Sequence, residues 1–336
     1  MIKETLFTLA KASGFCGKEQ SVAREMLSEY MPVTTDNLGN VVGQKDGTGT
    51  HFLLDAHLDT IGMIVTSVEK NGFLRVDKCG GIDIRTIAAQ DVTVHGKEDI
   101  YGVVTSIPPH LTSGDDKTAS GFDELMIDTG IDADRIFSLV SPGDRVTLRT
   151  NYNEMANGFV SGAYFDNKAG VCAILRCLEI LKQNKCNNKI TVLFSCNEEV
   201  GLIGAKAGGF NCDAEKCICV DVSFAKTSQT PASITAVSGE GTLVGVAPVL
   251  SYEMSMELKA IAENKKIPYQ LEIMSSSTGT NSDVLAVSRG GKKTALLSIP
   301  IKNMHTGVEM LNSCDIESTA RLMAEYILSS GGADND

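Results

Sequence analysis

Strand-length apolar runs alternate with helix-like segments over most of the chain, and this alternation restricts the possible folds more than any other feature. In the second half, the apolar runs ITVLFSC, KCICVDV, QLEIM and TALLSIP alternate with helix-like segments around residues 253–264 and 315–328. Near the start, the first thirty residues have the spacing of two helices, and HFLLDAHLD is typical of a buried strand. This pattern predicts an α/β fold, in which helices cover a sheet.

Residues from about 66 to 152 differ, because short β-rich runs alternate there with turns rich in Gly, Pro and Asp. The runs FLRVD, DVTVHG, YGVVTSI and RVTLRT predict a small all-β module. Helical periodicity returns only after Asp166. We therefore predict one α/β domain made of residues 1–65 and 156–336, interrupted by a β-rich domain of residues 66–155. The polar loop at residues 108–121 is expected to be mobile and the last six residues frayed.

Composition excludes several classes of function. The 336 residues carry a net charge of -12, which disfavours binding to nucleic-acid phosphates or anionic membranes. No apolar run is long enough to cross a bilayer, and the N-terminal residues lack the apolar stretch of a signal peptide. The ten cysteines have no zinc-knuckle spacing, and several lie in apolar runs, which is typical of buried free thiols. We therefore expect a cytoplasmic protein.

Two segments place metal-binding side chains beside the predicted strands. His57 and Asp59 follow a buried run in DAHLDTIG, and residues two apart on a strand face the same side. The carboxylate can then orient an imidazole that binds metal. In GAYFDNKAG, Asp166 precedes an amphipathic helix, and its two oxygens can bridge two cations. Taken alone, each segment favours a simpler interpretation, with His57 as a surface histidine and Asp166 as a helix N-cap.

The most specific local signal is LFSCNEEVGLIGA, where an apolar strand is followed by two adjacent carboxylates, Glu198 and Glu199. Adjacent like charges there are costly unless cations neutralise them, so one glutamate can bind metal while the other transfers a proton. The competing interpretation is a solvated acidic turn. Asp221 is predicted to end the buried run CICVDV, and His305 follows TALLSIPIKNM. Four apolar strands are expected to end in a side chain that can bind a metal ion, and Asp166 is expected beside them. Chance is a poor explanation for this arrangement.

Other chemistries fit the sequence less well. A Ser/His/Asp hydrolase would need a G-x-S-x-G turn after a strand, and the sequence contains none. There is also no phosphate-binding glycine loop in a suitable context. Paired carboxylates occur in glycosidases, but that interpretation leaves two histidines and Asp221 without a role. The remaining histidines, His51, His95 and His110, are expected to be exposed or structural.

Several motifs, and the order in which they follow one another, resemble those of the glutamyl aminopeptidase and tetrahedral (TET-type) aminopeptidase family of dinuclear metallopeptidases. The resemblance covers nearly the whole chain and includes LDAHLDTIGMIV, GGIDIRT, GVVTSIPPHL, PGDRVTLRTNYNEMANGFVSGAYFDNKAG, NEEVGLIGA, TGTNSD and SIPIKNMHTGVEM. It implies an αβα sandwich catalytic domain with an inserted β-barrel-like domain that makes dimer contacts. It also implies a homo-oligomer, either a dimer or a hollow tetrahedral dodecamer.

The resemblance further implies a role for each candidate residue. The implied metal ligands are His57 and Asp221 for one ion, Glu199 and His305 for the other, and Asp166 bridging both. Glu198 is then the general base, and Asp59 supports His57. Zinc or cobalt suits these mixed donors, and manganese is a further candidate for the two divalent ions. The implied activity is hydrolysis of N-terminal residues from peptide substrates.

The sequence departs from the usual family pattern at four positions expected around the pocket. Thr60 and Lys168 stand where Glu and Arg are common, and Asn281 and Lys302 where Asp and Arg are usual. No metal ligand is lost, so the prediction of an enzyme stands. The departures leave substrate preference open.

Two other functions use the same residues. A related metal-dependent carboxypeptidase or deacylase would need a cationic group for the substrate carboxylate, with Arg85, Arg289 and Lys302 as candidates. The other hypothesis is an inactive scaffold of the same fold. The retained Glu198 argues against the scaffold.

Overall fold

The computed structural model describes residues 2–12, 18–106, 110, 121–122 and 124–330. Most of the polar loop predicted at residues 108–121 and the last six residues lie outside these ranges. No helix within the described ranges combines the length and hydrophobicity needed to span a bilayer. The helices are α1 (Ile2–Lys11), α2 (Lys18–Ser28), α3 (Ala133–Leu139), α4 (Phe165–Gln183), α5 (Ile203–Asn211), α6 (Tyr252–Lys265), α7 (Ser282–Leu285) and α8 (Ser313–Ser330).

The strands form one large sheet and one closed barrel. The sheet contains β1 (Val33–Thr35), β2 (Val41–Lys45), β3 (His51–His57), β10 (Asn153–Glu154), β11 (Phe159–Gly162), β12 (Lys189–Ser195), β13 (Lys216–Phe224), β14 (Thr242–Val246), β15 (Tyr269–Ile273), β16 (Lys293–Lys302) and β17 (Glu309–Asn312). The barrel contains β4 (Gly62–Val68), β5 (Leu74–Cys79), β6 (Asp91–His95), β7 (Asp99–Val104), β8 (Met126–Asp128) and β9 (Arg145–Leu148).

Four parallel strands form the centre of the large sheet, in the order β12, β3, β13 and β16. Their apolar sequences are buried on both faces, as expected for parallel strands covered by helices. Because the strands are parallel, their carboxyl ends meet at one edge of the sheet. Four of the five predicted metal ligands lie near these ends or in the segments that follow them, and Asp166 lies at the start of α4.

Alternating side chains of the sheet pack against helices on both faces. On β3, Phe52, Leu54 and Ala56 join a core formed with α1, α2, α4, α6 and α8. Leu53 points the other way, into a smaller core that includes Ala205 of α5 and Leu285 of α7. The predicted αβα sandwich is confirmed, since helices cover both faces of the sheet.

The six barrel strands enclose an apolar core of their own, separate from the cores of the large sheet. They occupy residues 62–148, whereas β10 pairs with β11 in the large sheet. The predicted β-barrel-like insertion is therefore present. The division into a domain of residues 66–155 and a second domain made of both chain ends stays a prediction.

The described cysteines are free thiols, as predicted. Six of the nine are buried, two are partly buried, and Cys314 is exposed. Burial raises the pKa of Cys172 to about 12 and that of Cys196 to about 11, so both stay protonated and unreactive near neutral pH. These buried thiols serve as small apolar core residues.

Candidate metal centre

His57 is the last residue of β3, and its ring is almost completely buried. The backbone carbonyl of Asp59 lies 3.1 Å from Nδ1, and a carbonyl can only accept a hydrogen bond. Nδ1 therefore carries the proton, which leaves the Nε2 lone pair free to bind a cation. The sequence predicted that the Asp59 carboxylate would orient this ring. That carboxylate is 3.6 Å from Nδ1, so the backbone carbonyl makes the closer contact.

The Asp59 carboxylate instead holds the chain that follows β12. Its Oδ1 accepts the backbone N–H of Glu198 at 2.9 Å, and Oδ2 accepts that of Glu199 at 3.0 Å. Two charge-assisted hydrogen bonds to successive amides fix the direction in which both glutamate side chains leave the backbone. Asp59 thus positions the Glu198–Glu199 pair in addition to contributing its carbonyl to His57.

Asp166 lies between the two predicted histidine ligands. Its Oδ1 is 3.2 Å from Nε2 of His57, and its Oδ2 is 3.3 Å from Nε2 of His305. The alternative interpretation as a helix cap is not supported, because the side chain of Asn167 accepts the backbone N–H of Gly170 in the first turn of α4, at 3.0 Å. Each carboxylate oxygen faces a different imidazole, which is the arrangement that bridging of two cations needs.

Asp221 lies within β13, so the prediction that it ends the strand is wrong. The strand continues to Phe224 because its last residues pair with Ser298–Ile301 of β16. Cys219 pairs with Asp55 of β3, and two residues further along both strands Asp221 comes beside His57. The distance from Asp221 Oδ1 to His57 Nε2 is 3.7 Å.

His305 follows β16 and has a left-handed backbone with φ 64°. Its Nδ1 lies 3.1 Å from the carbonyl oxygen of Gly81, so here too the proton sits on Nδ1 and Nε2 faces the cluster. Nε2 is 3.5 Å from Glu199 Oε1. Gly81 follows the barrel strand β5, so the barrel segment contributes directly to the site. The sequence analysis did not identify Gly81.

Among the residues that the structure describes, three overlapping groups of side chains have potential donor atoms within 4.8 Å of one another. The groups are His57, Asp166 and Asp221; Asp166, Glu199 and His305; and His57, Glu198 and Glu199. The first two groups share Asp166 and include all five predicted ligands. Imidazole nitrogens and carboxylate oxygens are the donors that zinc and similar divalent ions prefer, so the residues fit two such ions.

Electrostatics also favours bound cations at this position. Burial raises the pKa of Glu199 to about 8 and that of Asp221 well above its ordinary value. Burial opposes charge on His305 as well, but hydrogen bonding to Asp166 and nearby carboxylates raise its pKa to about 9. The cluster without cations thus retains protons that separated groups would lose, because several carboxylates repel one another there. Divalent ions would relieve that repulsion.

The cluster forms one end of a cavity of about 560 Å³. The other walls come from the Gly201–Leu202 turn, the end of β13, residues 278–280 and Met304. None of the four departures from the family pattern belongs to the described lining, although Asn281 directly follows the lining residue Thr280. Their position around the pocket stays a prediction.

The departures Lys168 and Asn281 are explained by buried hydrogen bonds. Lys168 is fully buried, and its ammonium group donates to the carbonyl oxygen of Leu58. Asn281 donates through Nδ2 to Asp55 Oδ2 at 2.9 Å and to Ser195 at 2.8 Å. Burial raises the pKa of Asp55 to about 7, and an aspartate at position 281 would add a second carboxyl beside it.

Two of the histidines left out of the predicted site, His51 and His95, make contacts typical of structural residues. His51 contacts Thr191 at 2.8 Å, and His95 contacts Asp99 and Thr147 at 2.8 and 2.9 Å. Neither residue belongs to the cluster of donor atoms. Their predicted structural interpretation agrees with these contacts.

A parallel sheet covered by helices, with histidines and carboxylates clustered at its carboxyl edge, is typical of a metal-dependent hydrolase. The chain belongs to the M42 glutamyl aminopeptidase family, whose sequence pattern matches residues 39–322. It is therefore a metal-dependent aminopeptidase, as the motifs predicted.

Individual proteins support the same assignment. A lysyl aminopeptidase from Pyrococcus furiosus is 29% identical over 332 residues, covering 95% of this chain and 94% of its own. A TET aminopeptidase from the marine sediment archaeon Thaumarchaeota archaeon SCGC AB-539-E09 superimposes with a TM-score of 0.91 and 26% identity, over 97% and 96% of the chains. The Pyrococcus horikoshii TET1 peptidase, which can assemble into a tetrahedron or a large octahedral shell, has a TM-score of 0.86 and 26% identity, over 98% and 99%.

Proposed function

We propose that the chain binds two divalent ions through His57, Asp166, Glu199, Asp221 and His305 and uses Glu198 as general base. The observation that carries this proposal is the position of Asp166, whose two oxygens face different histidines. A carboxylate shared in this way supports a centre of two ions rather than one.

Bound divalent ions would supply Lewis acidity, polarising the scissile carbonyl and lowering the pKa of water toward about 7. Glu198 lines the cavity, with Oε2 3.9 Å from His57 Nε2, and Asp59 fixes its backbone. Glu198 takes a proton from the attacking water as oxygen adds to the peptide carbon. It then passes that proton to the departing amine as the C–N bond breaks.

Replacing Glu198 by Gln tests this assignment. The change keeps the shape of the side chain but removes the proton acceptor, so kcat should fall by about 10²–10⁴-fold. Zinc content measured by elemental analysis should stay close to that of the wild type. Glu215→Gln, at an exposed position, serves as the control and should retain full activity. Near-parental turnover of E198Q would remove Glu198 from the role of base.

The cavity walls favour an aminopeptidase over the carboxypeptidase or deacylase alternative. Arg85, Arg289 and Lys302, the predicted carboxylate-binding candidates, are absent from the described lining. Arg85 pairs with Asp83 at 2.7 Å, and Arg289 stacks on the ring of Phe210. None of the three is therefore placed to bind a substrate carboxylate.

The same walls support a preference for uncharged N-terminal side chains. Apart from the cluster, the described lining consists of Gly, Leu, Val, Ser, Phe, Thr and Met residues. A charged substrate side chain would lose water there without gaining an opposite charge. Behind the wall, Glu272 already accepts a hydrogen bond from the hydroxyl of Ser223.

A panel of aminoacyl p-nitroanilides tests this preference. Leucyl, methionyl and alanyl substrates should have kcat/KM values at least about 100-fold above those of glutamyl and lysyl substrates. A dominant glutamyl activity would contradict the proposal. A dominant lysyl activity would contradict it too and would point to Glu272 as a group that the substrate reaches.

We further propose zinc as the metal, a cytoplasmic location and a homo-oligomer. The mixed imidazole and carboxylate donors support zinc, with cobalt and manganese as alternatives. The tetrahedron formed by the Pyrococcus horikoshii relative, together with a solved TET1 dodecamer of similar fold, supports a dodecamer over a simple dimer. Exposed Tyr101 and Phe137 support contacts between subunits through residues 66–155. Elemental analysis of the purified protein tests the identity of the metal, and analytical ultracentrifugation tests the number of subunits in the assembly.

A further inference from the structure

Glu309 is a buried carboxylate that takes no part in the proposed reaction yet contacts both segments that bear shared ligands. Its Oε2 accepts the backbone N–H of Phe165 at 2.7 Å and that of Asp166 at 3.2 Å. Its Oε1 accepts the backbone N–H of His305 at 3.0 Å. The residue is 1% exposed, so water does not replace these three bonds.

Each contacted segment contains a non-glycine residue with left-handed backbone geometry. Tyr164, immediately before Phe165, has φ 67°, and His305 has φ 64°. This geometry is strained for residues other than glycine and needs support from surrounding contacts. A carboxylate that accepts hydrogen bonds from both segments supplies such a restraint.

The position of Glu309 makes that restraint rigid. Glu309 begins β17, where it pairs with Gly162 at the end of β11, three residues before Phe165. The large sheet therefore carries both Glu309 and the strand that leads into the Phe165 segment. The carboxylate connects that segment to the loop after β16, which carries His305.

We propose that Glu309 is a positioning residue that holds Asp166 and His305 at the separation at which both bind the same metal ion. This inference rests on the proposed function, because it takes Asp166 and His305 as ligands. Glu309 does not contact the substrate or the metal. It acts through the backbone of the two segments.

The variant Glu309→Gln tests this role. The amide oxygen of Gln can still accept from one segment, but its NH₂ group turns a donor toward the backbone N–H groups of the other. Zn²⁺ affinity, measured by competition with a chromophoric chelator, should fall by about 10–100-fold. In the metal-free protein, amide hydrogen exchange should accelerate around residues 163–167 and 303–307 and stay unchanged elsewhere. At saturating Zn²⁺, kcat should fall while KM changes little.

Asp315→Asn is the matched control, since Asp315 is a buried carboxylate that accepts backbone N–H groups of Gly239 and Gly241 away from the site. Its Zn²⁺ affinity should stay within twofold of the wild type. Glu309→Asp keeps the charge but is too short to reach both segments, so it should behave like E309Q and provides the answer if E309Q does not fold.

A folded E309Q or E309D protein with wild-type Zn²⁺ affinity overturns the inference. Exchange that accelerates uniformly, with unchanged affinity, also overturns it, because that result indicates a purely structural carboxylate. Failure of the proposed function has a different signature, since the wild type itself would then lack Zn²⁺ binding or peptide hydrolysis. In that case, local hydrogen exchange of the metal-free protein still tests whether Glu309 holds the two segments.

Discussion

The two histidines of the cluster present the same ring nitrogen for the same reason. In each ring, Nδ1 donates to a backbone carbonyl, of Asp59 for His57 and of Gly81 for His305. A carbonyl oxygen can only accept a hydrogen bond, so it keeps a proton on Nδ1 whether or not Nε2 also carries one. Each Nε2 then faces Asp166 as a ready donor to a cation.

Gly81 allows the close approach that this arrangement needs. A Cβ atom there would lie 2.6 Å from Nδ1 and 2.8 Å from Cε1 of His305, closer than real contacts allow. We expect Gly81→Ala to displace the His305 ring and lower kcat/KM by about 10- to 100-fold, with little loss of thermal stability. Gly290→Ala is the control, because nothing lies within 4 Å of its added Cβ. Equal activity of the two variants would refute the steric role of Gly81.

At the scale of elements, strand register brings the donors together. Ser195 of β12 pairs with His57 of β3, and Cys219 of β13 pairs with Asp55. A shift of one residue would turn His57 or Asp221 to the opposite face of the sheet, into the apolar core. The apolar side chains of these strands pack against helices on both faces of the sheet, and this packing prevents such a shift.

The start of α8 provides a test of buried charge at this scale. Asp315 is fully buried, accepts two backbone N–H groups, and burial raises its pKa to about 6. A raised pKa in the folded state contributes stability below about pH 4, and this contribution is lost as the pH rises through about 6.

The difference in unfolding free energy between wild type and Asp315→Asn should therefore be larger at pH 4 than at pH 7, by about 2 kcal/mol. Urea unfolding at the two pH values measures this difference, and contributions common to both proteins cancel. If the difference in unfolding free energy is independent of pH, or larger at pH 7, the backbone hydrogen bonds outweigh burial in their effect on the pKa of Asp315.

At the scale of the whole molecule, the centre depends on both the sheet and the barrel. The five proposed ligands lie in strands of the large sheet or in the segments that follow them, whereas the chain that leaves barrel strand β5 supplies Gly80 and Gly81. An added Cβ on Gly80 would lie 3.2 Å from Glu199, and Gly81 contacts His305. Packing of the barrel segment against the sheet therefore shapes the cluster.

Removal of the metal ions should destabilise the whole fold. Ligands that bind only the folded state add about 2.7 kcal/mol per site at 100 times the dissociation constant, and their removal leaves buried carboxylates facing one another. EDTA should therefore lower the midpoint of thermal unfolding, measured by scanning calorimetry. Asp166→Ala removes the shared carboxylate, so EDTA should have little effect on that variant. An equal EDTA effect on both proteins would contradict a centre built on Asp166.

The sequence alone determined the fold class and the chemical type of the site. Apolar runs of strand length that alternate with helical segments are typical of a helix-covered sheet, and parallel strands in such a sheet place the residues at their carboxyl ends along one edge. Glu198, Glu199 and His305 were therefore identifiable from strand ends. Asp166 was ambiguous, because an aspartate before a helix is also a common cap.

Only the tertiary structure decided how these groups are held. Glu309, the carbonyl of Gly81 and the amide contacts of Asp59 depend on atoms from segments distant in the sequence, and no local pattern records such contacts. The length of β13 past Asp221 likewise depends on pairing with β16. Local periodicity reports which face of an element is apolar, whereas hydrogen bonds between distant segments arise only once those elements have packed.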